Sequence, residues 1–197
     1  MTIEFFPAPF WVGASILVLI LFIVALRTRS FARVVFSAIL GVYLLVLLNL
    51  TLFPIPDASF HIGVPTHRFL DAVQNQINLV PFSYGVLLDR DGLLLTYHIL
   101  GNTLATMPFG FGVLFAVPKL RRWILWLAIG IGVCIELLQL GFMILFRAAY
   151  RSVDVNDIIW NTIGALAGYG LYRLAAWMGG KLKKRDLANK ADAVRIN

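Results

Sequence analysis

The sequence predicts an all-α, polytopic integral membrane protein, and three observations support this fold class. The chain has 197 residues, of which 60% are hydrophobic and 14% are charged, whereas a soluble domain is nearer half apolar and a quarter charged. The mean hydropathy is +0.84. The apolar residues form five runs near the length of about 20 residues that a membrane-spanning helix needs, and the basic residues cluster at the ends of these runs.

The five predicted spans cover residues 10–26, 34–53, 97–117, 123–146 and 155–178. The first is not a standard signal peptide, because only Glu4 is charged upstream of it and Arg27 and Arg29 follow where a cleavage site would lie. We expect residues 1–178 to form one transmembrane domain. The basic tail, residues 179–197, is expected to lie on the cytoplasmic lipid surface or to be disordered.

The distribution of Lys and Arg predicts the orientation of the spans. Thirteen of the 17 basic residues fall in loop 27–33, in loop 118–122 and in the chain from Arg173 onward. The other four, Arg68, Arg90, Arg147 and Arg151, fall on the opposite side. Because cytoplasmic loops carry the excess of positive charge, the N-terminus is predicted outside and the C-terminus inside.

The segment between the second and third spans, residues 54–96, is then the one large extracytoplasmic piece. Residues 66–76 have the pattern of a short amphipathic helix, and Asn78-Leu79-Val80-Pro81-Phe82 follows it. A segment of this length and mixed character is expected to be interfacial or re-entrant, between the second and third helices.

Six polar side chains fall in the outer half of the predicted spans, where a buried polar group is costly and marks a site by default. At a rise of about 1.5 Å per residue, they lie within a few turns of the outer surface. Glu136 and Gln139 are three residues apart and Asp157 and Asn161 four apart, so each pair shares one helix face. The six residues, on four spans, are predicted to converge on an outward-facing polar pocket: Asn49, Asn102, Glu136, Gln139, Asp157 and Asn161.

Several of these residues also have a purely structural interpretation. Asp154 has the position of a helix N-cap, with Asp157 three residues later in a capping-box-like pattern. Asn49, Asn102 and Asn161 are also the type of residue that forms hydrogen bonds between membrane helices.

Glu136 fits a structural role least well, because a buried carboxylate needs a partner or a proton. We expect either a neutral acid held by Gln139 and neighbouring Asn side chains, or a carboxylate paired with a cationic ligand or with Arg147 or Arg151. These two arginines, just outside the fourth span, also suit bidentate binding of phosphate or carboxylate.

The other notable residues are expected to serve packing or interfacial contacts. His98 is predicted to be a headgroup-level polar contact, and the single cysteine, Cys134, to be a small core residue that excludes an intrachain disulfide. The Gly164-x-x-x-Gly168 and Gly130-x-Gly132 patterns predict close helix approach. Pro108 is expected to kink the third span.

Taken together, the motifs resemble those of the VanZ-like membrane protein family, in the same order and with similar spacing over residues 40–175. The first span and the tail carry no part of the resemblance. It implies a multi-pass protein of the bacterial plasma membrane, in a family whose namesake is associated with low-level resistance to teicoplanin, an acylated glycopeptide. The residues that carry the motifs are Asn78, Pro81, Asn102, Pro108, Glu136, Gln139, Arg151, Asp154, Asp157, Asn161 and Gly164.

The favoured function is binding, in the outward-facing pocket, of a lipid-linked or acylated molecule: a cell-wall precursor, a lipid headgroup or a lipoglycopeptide. Such binding would affect glycopeptide susceptibility. Nucleic acid is not an expected partner, and neither a cofactor nor a metal is expected in the binding site. The predicted ligand-binding residues are Asn49, Asn102, Glu136, Gln139, Arg147, Arg151, Asp154, Asp157 and Asn161.

Two alternatives remain open. The first is an intramembrane hydrolase or transferase acting on a lipid headgroup, with Glu136 and Asp157 as acid and base and a divalent metal bridging them with His98. The absence of a H-E-x-x-H motif, a nucleophile motif and a metal-spaced His pair counts against it. The second is a structural partner for other envelope proteins, in which the polar residues only lock the bundle.

Overall fold

The computed structural model describes residues 2–3, 31–52, 55–56, 66–84 and 92–195, together with the single positions 15, 19 and 23. The rest of the first predicted span lies outside the described residues. Parts of the segment between the second and third spans, residues 57–65 and 85–91, also lie outside them, so its interfacial or re-entrant character stays a prediction.

The described chain is mainly helical, which confirms the all-α prediction. Its helices are α1 (Phe31–Leu52), α2 (Thr66–Gln74), α3 (Leu93–Ala116), α4 (Ile124–Phe146) and α5 (Val155–Arg195), with a 3-10 helix at Pro118–Trp123. Helices α1, α3, α4 and α5 correspond to the second to fifth predicted spans, and α2 is the expected short amphipathic helix. Two stretches, Val34–Leu52 and Lys119–Phe146, are long and apolar enough to cross a membrane.

Within the described residues, four two-residue strands form two small sheets. Strand β1 (Thr2–Ile3) pairs antiparallel with β2 (Ile55–Pro56), and β3 (Ile77–Asn78) pairs parallel with β4 (Val153–Asp154). The second sheet joins the segment after α2 to the start of α5.

The four long helices alternate in direction, so one end of the bundle gathers the C-termini of α1 and α4 and the N-termini of α3 and α5. We call this the polar end. Here Gln139 Nε2 donates to the Thr51 carbonyl at 3.1 Å, and the Tyr150 hydroxyl donates to the Leu52 carbonyl at 3.1 Å. Both bonds satisfy carbonyls that the last turn of α1 leaves without a helical partner. Burial raises the pKa of Tyr150, so its hydroxyl stays a donor.

The outer faces of the helices are apolar. On α1, exposed aliphatic side chains recur every three or four residues and so form one stripe: Val35, Ile39, Val42, Val46 and Leu50. Cys134 belongs to such an outer face on α4 and is exposed, so its predicted place in the core is wrong. Because it precedes Glu136 by two residues, it points to nearly the opposite side of the helix.

Helices α3 and α5 pack with their backbones in contact, as the Gly164-x-x-x-Gly168 pattern predicts. A Cβ atom added to Gly164 would lie 2.1 Å from the Thr103 carbonyl oxygen, and one added to Gly168 would lie 1.9 Å from that of Met107. On α3, a Cβ atom added to Gly110 would lie 1.7 Å from the Ala165 carbonyl oxygen of α5. Only a residue without a side chain fits at these crossings.

In the Gly130-x-Gly132 pattern, only Gly132 lies at a helix contact. A Cβ on Gly132 would lie 3.0 Å from the Ile158 carbonyl oxygen of α5, whereas one on Gly130 would meet no atom within 4 Å. The packing role expected for Gly130 is therefore wrong.

Helix α3 continues through Pro108 to Ala116, and α5 continues through the expected tail to Arg195. The tail is rich in Lys, Leu, Arg and Ala, which favour helix. Its place on the cytoplasmic lipid surface stays a prediction.

We expect Gly168→Ala to destabilise the protein by about 1–3 kcal/mol, because the new methyl group collides with the α3 backbone. Thermal unfolding of the purified protein in detergent measures this. Gly170→Ala is the matched control on the same helix, since a Cβ there meets nothing within 4 Å. Equal melting temperatures for the two variants would contradict the backbone contact.

Candidate functional site

A hydrogen bond between Glu136 and the start of α5 lies at the centre of the polar end. Glu136 Oε2 accepts the backbone N–H of Asp154 at 2.9 Å, and the Glu136 side chain is 2% exposed. Its other oxygen, Oε1, is buried without a hydrogen-bond partner among the described residues. The carboxylate faces the N-terminal end of α5, where the helix dipole favours negative charge.

Asp154 is the N-cap of α5, as predicted, and it also binds a second segment. Its Oδ1 accepts the backbone N–H of Asn156 at 2.7 Å, the bond expected of an N-cap residue. Asn78 Nδ2 donates to both Asp154 oxygens at 3.1 Å. The capping interpretation is therefore confirmed, but the same carboxylate also holds the loop that follows β3.

Asp157 links α5 to α3 through two partners. Asn102 Nδ2 donates to Asp157 Oδ1 at 2.9 Å, and His98 Nε2 forms an ion pair with the same oxygen. His98 and Asn102 are four residues apart and so share a face of α3. His98 is thus part of the cluster, and its predicted contact with lipid headgroups stays a prediction.

The loop from Asn78 to Ser83 is fastened to α5 by buried polar groups. Asn156, which is fully buried, accepts the Phe82 backbone N–H at 2.6 Å and donates to the Ser83 carbonyl at 2.9 Å. Asn78 Nδ2 donates to that carbonyl at 2.8 Å. Phe82 has a φ of 60°, a conformation that costs a residue with a side chain about 1 kcal/mol or more. These bonds therefore hold the loop in one fixed shape.

Asn161 lies one turn below Asp157 and is 1% exposed. Its backbone carbonyl accepts the Thr106 hydroxyl of α3 at 2.7 Å. Its side-chain Nδ2 is buried with no hydrogen-bond partner among the described residues. The predicted face shared by Asp157 and Asn161 therefore points into the bundle.

The remaining predicted site residues lie around this cluster rather than in it. Gln139 reaches α1 through its amide nitrogen, and Asn49 is half-buried on α1. Arg147 is exposed, donates to the Thr66 hydroxyl at 3.3 Å and lies 5.5 Å above the Phe69 ring. It therefore holds α2 against the bundle. Arg151 is partly buried and lies 5.9 Å from the Tyr150 ring centroid.

Three buried carboxylates, Glu136, Asp154 and Asp157, lie at the polar end, with the His98 imidazole in contact with Asp157. The described residues contain no group of three or more His, Cys, Asp or Glu side chains that could hold a metal ion. The ligand set needed for a metal bridging Glu136, Asp157 and His98 is therefore not formed.

The set of predicted binding residues omitted four members of this network: Asn78, His98, Thr106 and Asn156. A spacing of four residues along α3 joins His98, Asn102 and Thr106 and was a usable signal. Only the family motif indicated a role for Asn78. No sequence pattern indicated Asn156, since a buried asparagine beside a helix cap looks the same in sequence as an exposed one.

A family model described as VanZ/LLP1 matches residues 40–176. The match runs from α1 into α5 and includes every residue of the polar cluster. No curated protein and no solved structure matches the chain.

We expect Asn156→Ala to loosen the Asn78–Ser83 loop, because it leaves the Phe82 N–H and the Ser83 carbonyl without their side-chain partner. The cost is about 1–3 kcal/mol. Hydrogen exchange of peptides covering residues 76–84 should rise several-fold. Asn75→Ala, at an exposed position, is the control. Unchanged exchange in Asn156→Ala would show that the loop is held by other contacts.

Proposed function

The chain belongs to the VanZ/LLP1 family, and from this premise we propose that it binds a lipid-linked or acylated molecule in an outward-facing polar site. The observation that carries the proposal is the buried Glu136 carboxylate, which has one oxygen bonded to Asp154 and one without a partner among the described residues. A bundle that only needed stability would gain more from an apolar residue here.

We place the protein in the bacterial plasma membrane with five spans, its N-terminus outside and its C-terminus inside. Family membership and the two apolar helices support a membrane protein. The exposed apolar stripe of α1 is suited to lipid contact. Lys119, Arg121 and Arg122 lie in the 3-10 helix, at the end of the bundle opposite the polar end. This separation puts the polar end outside under the positive-inside rule.

The ligand is a cell-wall precursor, a lipid headgroup or a lipoglycopeptide. Family membership links the chain to glycopeptide resistance, and binding of an acylated glycopeptide or its target would alter teicoplanin susceptibility. Glu136 Oε1, Gln139 Oε1 and Asn161 Nδ2, which are among the buried atoms without a hydrogen-bond partner in the described residues, supply hydrogen-bonding atoms for the ligand. Arg151, beside the start of β4, adds positive charge at this end of the bundle, which attracts an anionic group. Arg147 donates to the Thr66 hydroxyl of α2.

The ion pair of His98 with Asp157 favours a second candidate, an enzyme acting on a lipid headgroup. A carboxylate that orients an imidazole, with Asn102 fixing the carboxylate, is an arrangement used for general acid–base chemistry. Under this proposal Glu136 and Asp157 are the acid and base, with His98 passing the proton. Turnover of candidate lipids that His98→Gln abolishes would establish it. Binding without turnover would leave the first proposal standing.

The binding proposal predicts that the protein purified in mild detergent retains a lipid or lipid-linked species, seen by native mass spectrometry. Glu136→Gln and Arg151→Ala should each lower its occupancy roughly tenfold, the loss expected for one charge-assisted contact. Asp71→Asn, which removes an exposed carboxylate on α2, is the control. A protein that retains no such species, with both variants like wild type, would refute the proposal.

The topology predicts the labelling pattern of introduced cysteines. In a Cys134→Ala background, Gln74→Cys at the exposed end of α2 should react with a membrane-impermeant maleimide in intact cells. Lys181→Cys, also exposed, should react only after permeabilisation. The reverse pattern would invert the proposed orientation.

A further inference from the structure

Basic side chains gather at the end of the bundle opposite the polar end. The 3-10 helix contributes Arg121 and Arg122, and α5 contributes Arg173; all three are exposed. The sequence has no acidic residue in 92–135 or in 158–185. The next acid on α5, Asp186, lies 13 positions beyond Arg173, which is about 20 Å further along the helix. The carboxylates of α3, α4 and α5 therefore lie far from this basic end.

Arg121 and Arg173 meet at one tyrosine. Arg173 Nη1 donates to the Tyr169 hydroxyl, one turn earlier on α5, at 3.0 Å. Arg121 comes from the 3-10 helix and lies close enough to the same hydroxyl for its charge and its N–H groups to act on it. The Phe111 ring of α3 packs edge-on against Tyr172, with 6.2 Å between the ring centroids, so the end of α3 runs beside α5 at this level. Two guanidinium groups from separate elements thus share one neutral oxygen.

An anion with several oxygens complements this pair. Each guanidinium carries several N–H donors and no acceptor, so one hydroxyl oxygen leaves most of the donors of Arg121 and Arg173 for other acceptors. The two like charges also repel each other at this separation. A phosphate group accepts bidentate hydrogen bonds from guanidinium forks, and its negative charge offsets the repulsion.

The face of α5 that carries Arg173 matches the level of lipid headgroups. Tyr169, Arg173, Trp177 and Lys181 follow one another at intervals of four residues, so neighbours share a helix face. Lys181 Nζ lies 3.8 Å from the Trp177 ring centroid, and Arg173 Cζ lies 5.9 Å from that of Tyr169. Trp177 is 57% exposed. Exposed aromatic rings beside basic side chains are typical of the boundary between lipid and water, so the phosphate that reaches Arg173 is that of a lipid.

We propose that Arg121 and Arg173, together with the Tyr169 hydroxyl, form a site for the phosphate group of an anionic phospholipid. This inference goes beyond the proposed function, because the site lies at the opposite end of the bundle and shares no residue with the polar cluster. The bound phosphate joins the 3-10 helix to α5. The site prefers a lipid of net negative charge, since two guanidinium groups repel the ammonium of a zwitterionic headgroup.

The test titrates the full-length protein in detergent with phosphatidylglycerol and, separately, with phosphatidylcholine of the same acyl chains. Native mass spectrometry gives the Kd of the first bound lipid. The wild type should bind phosphatidylglycerol roughly tenfold more tightly, the ratio expected for one charge-assisted contact. Equal affinities for the two lipids would overturn the site. Inorganic phosphate is added as a competitor, and displacement of phosphatidylglycerol at equal concentration would show that the site takes a free anion and not a lipid.

The variants assign the preference to the two arginines. Arg121→Gln and Arg173→Gln should each remove most of it. Arg122→Gln removes the same charge from the neighbouring exposed position, where the guanidinium lies 5.6 Å from the Trp123 ring centroid, and should keep the preference. Equal losses in Arg122→Gln and Arg173→Gln would reveal a diffuse charge effect and overturn the site.

A conservative variant tests the geometry of the contact. Arg173→Lys keeps the charge but not the planar fork of donors, so the affinity for phosphatidylglycerol should fall several-fold. Wild-type affinity in this variant would contradict a bidentate contact with the phosphate. Because Arg173 is exposed, Arg173→Lys is expected to fold, and an unchanged melting temperature in detergent checks this.

Discussion

The hydrogen bond from the Asp154 backbone N–H to Glu136 is the interaction on which the polar end depends. It ties the middle of α4 to the first turn of α5 within a buried volume, where an unpaired N–H or carboxylate is costly. The Asp154 side chain then caps α5 and holds Asn78, and Asn156, two residues on, holds Phe82 and Ser83. One helix start therefore organises an adjacent helix and a loop that begins 76 residues earlier in the chain.

This arrangement requires a close and fixed approach of α3 and α5. Gly164 and Gly168 bring the two backbones into contact, and the Thr106 hydroxyl bonds the Asn161 carbonyl within the same contact. The register that results places Asn102 and His98 opposite Asp157. Because backbone contacts of this kind leave no room for sliding, the glycines determine the geometry of a polar site one to two turns away.

The network also separates groups that stabilise the fold from groups open to a ligand. Asn78, Asn102 and Asn156 have their side-chain bonding largely met within the protein, and the Gln139 amide nitrogen is met by the end of α1. The buried atoms without a partner among the described residues include two acceptors on one face of α4, Glu136 Oε1 and Gln139 Oε1, and a donor on α5, Asn161 Nδ2. The binding proposal follows from these atoms.

The sequence by itself determined the helical class, the positions of the four long helices and the short helix α2. It also determined the Asp154 cap and the close contact of α5 with α3 at Gly164 and Gly168. Each of these features depends on the spacing of residues along one helix. It also marked Glu136, Asp157 and Asn161 as buried polar residues. Only the tertiary structure decided which of these groups bond each other. Arg147 bonds Thr66 on α2, His98 contacts Asp157, and Asn156 bonds the distant loop at Phe82. Such pairings depend on helix register and on contacts between distant segments, which short-range patterns do not encode.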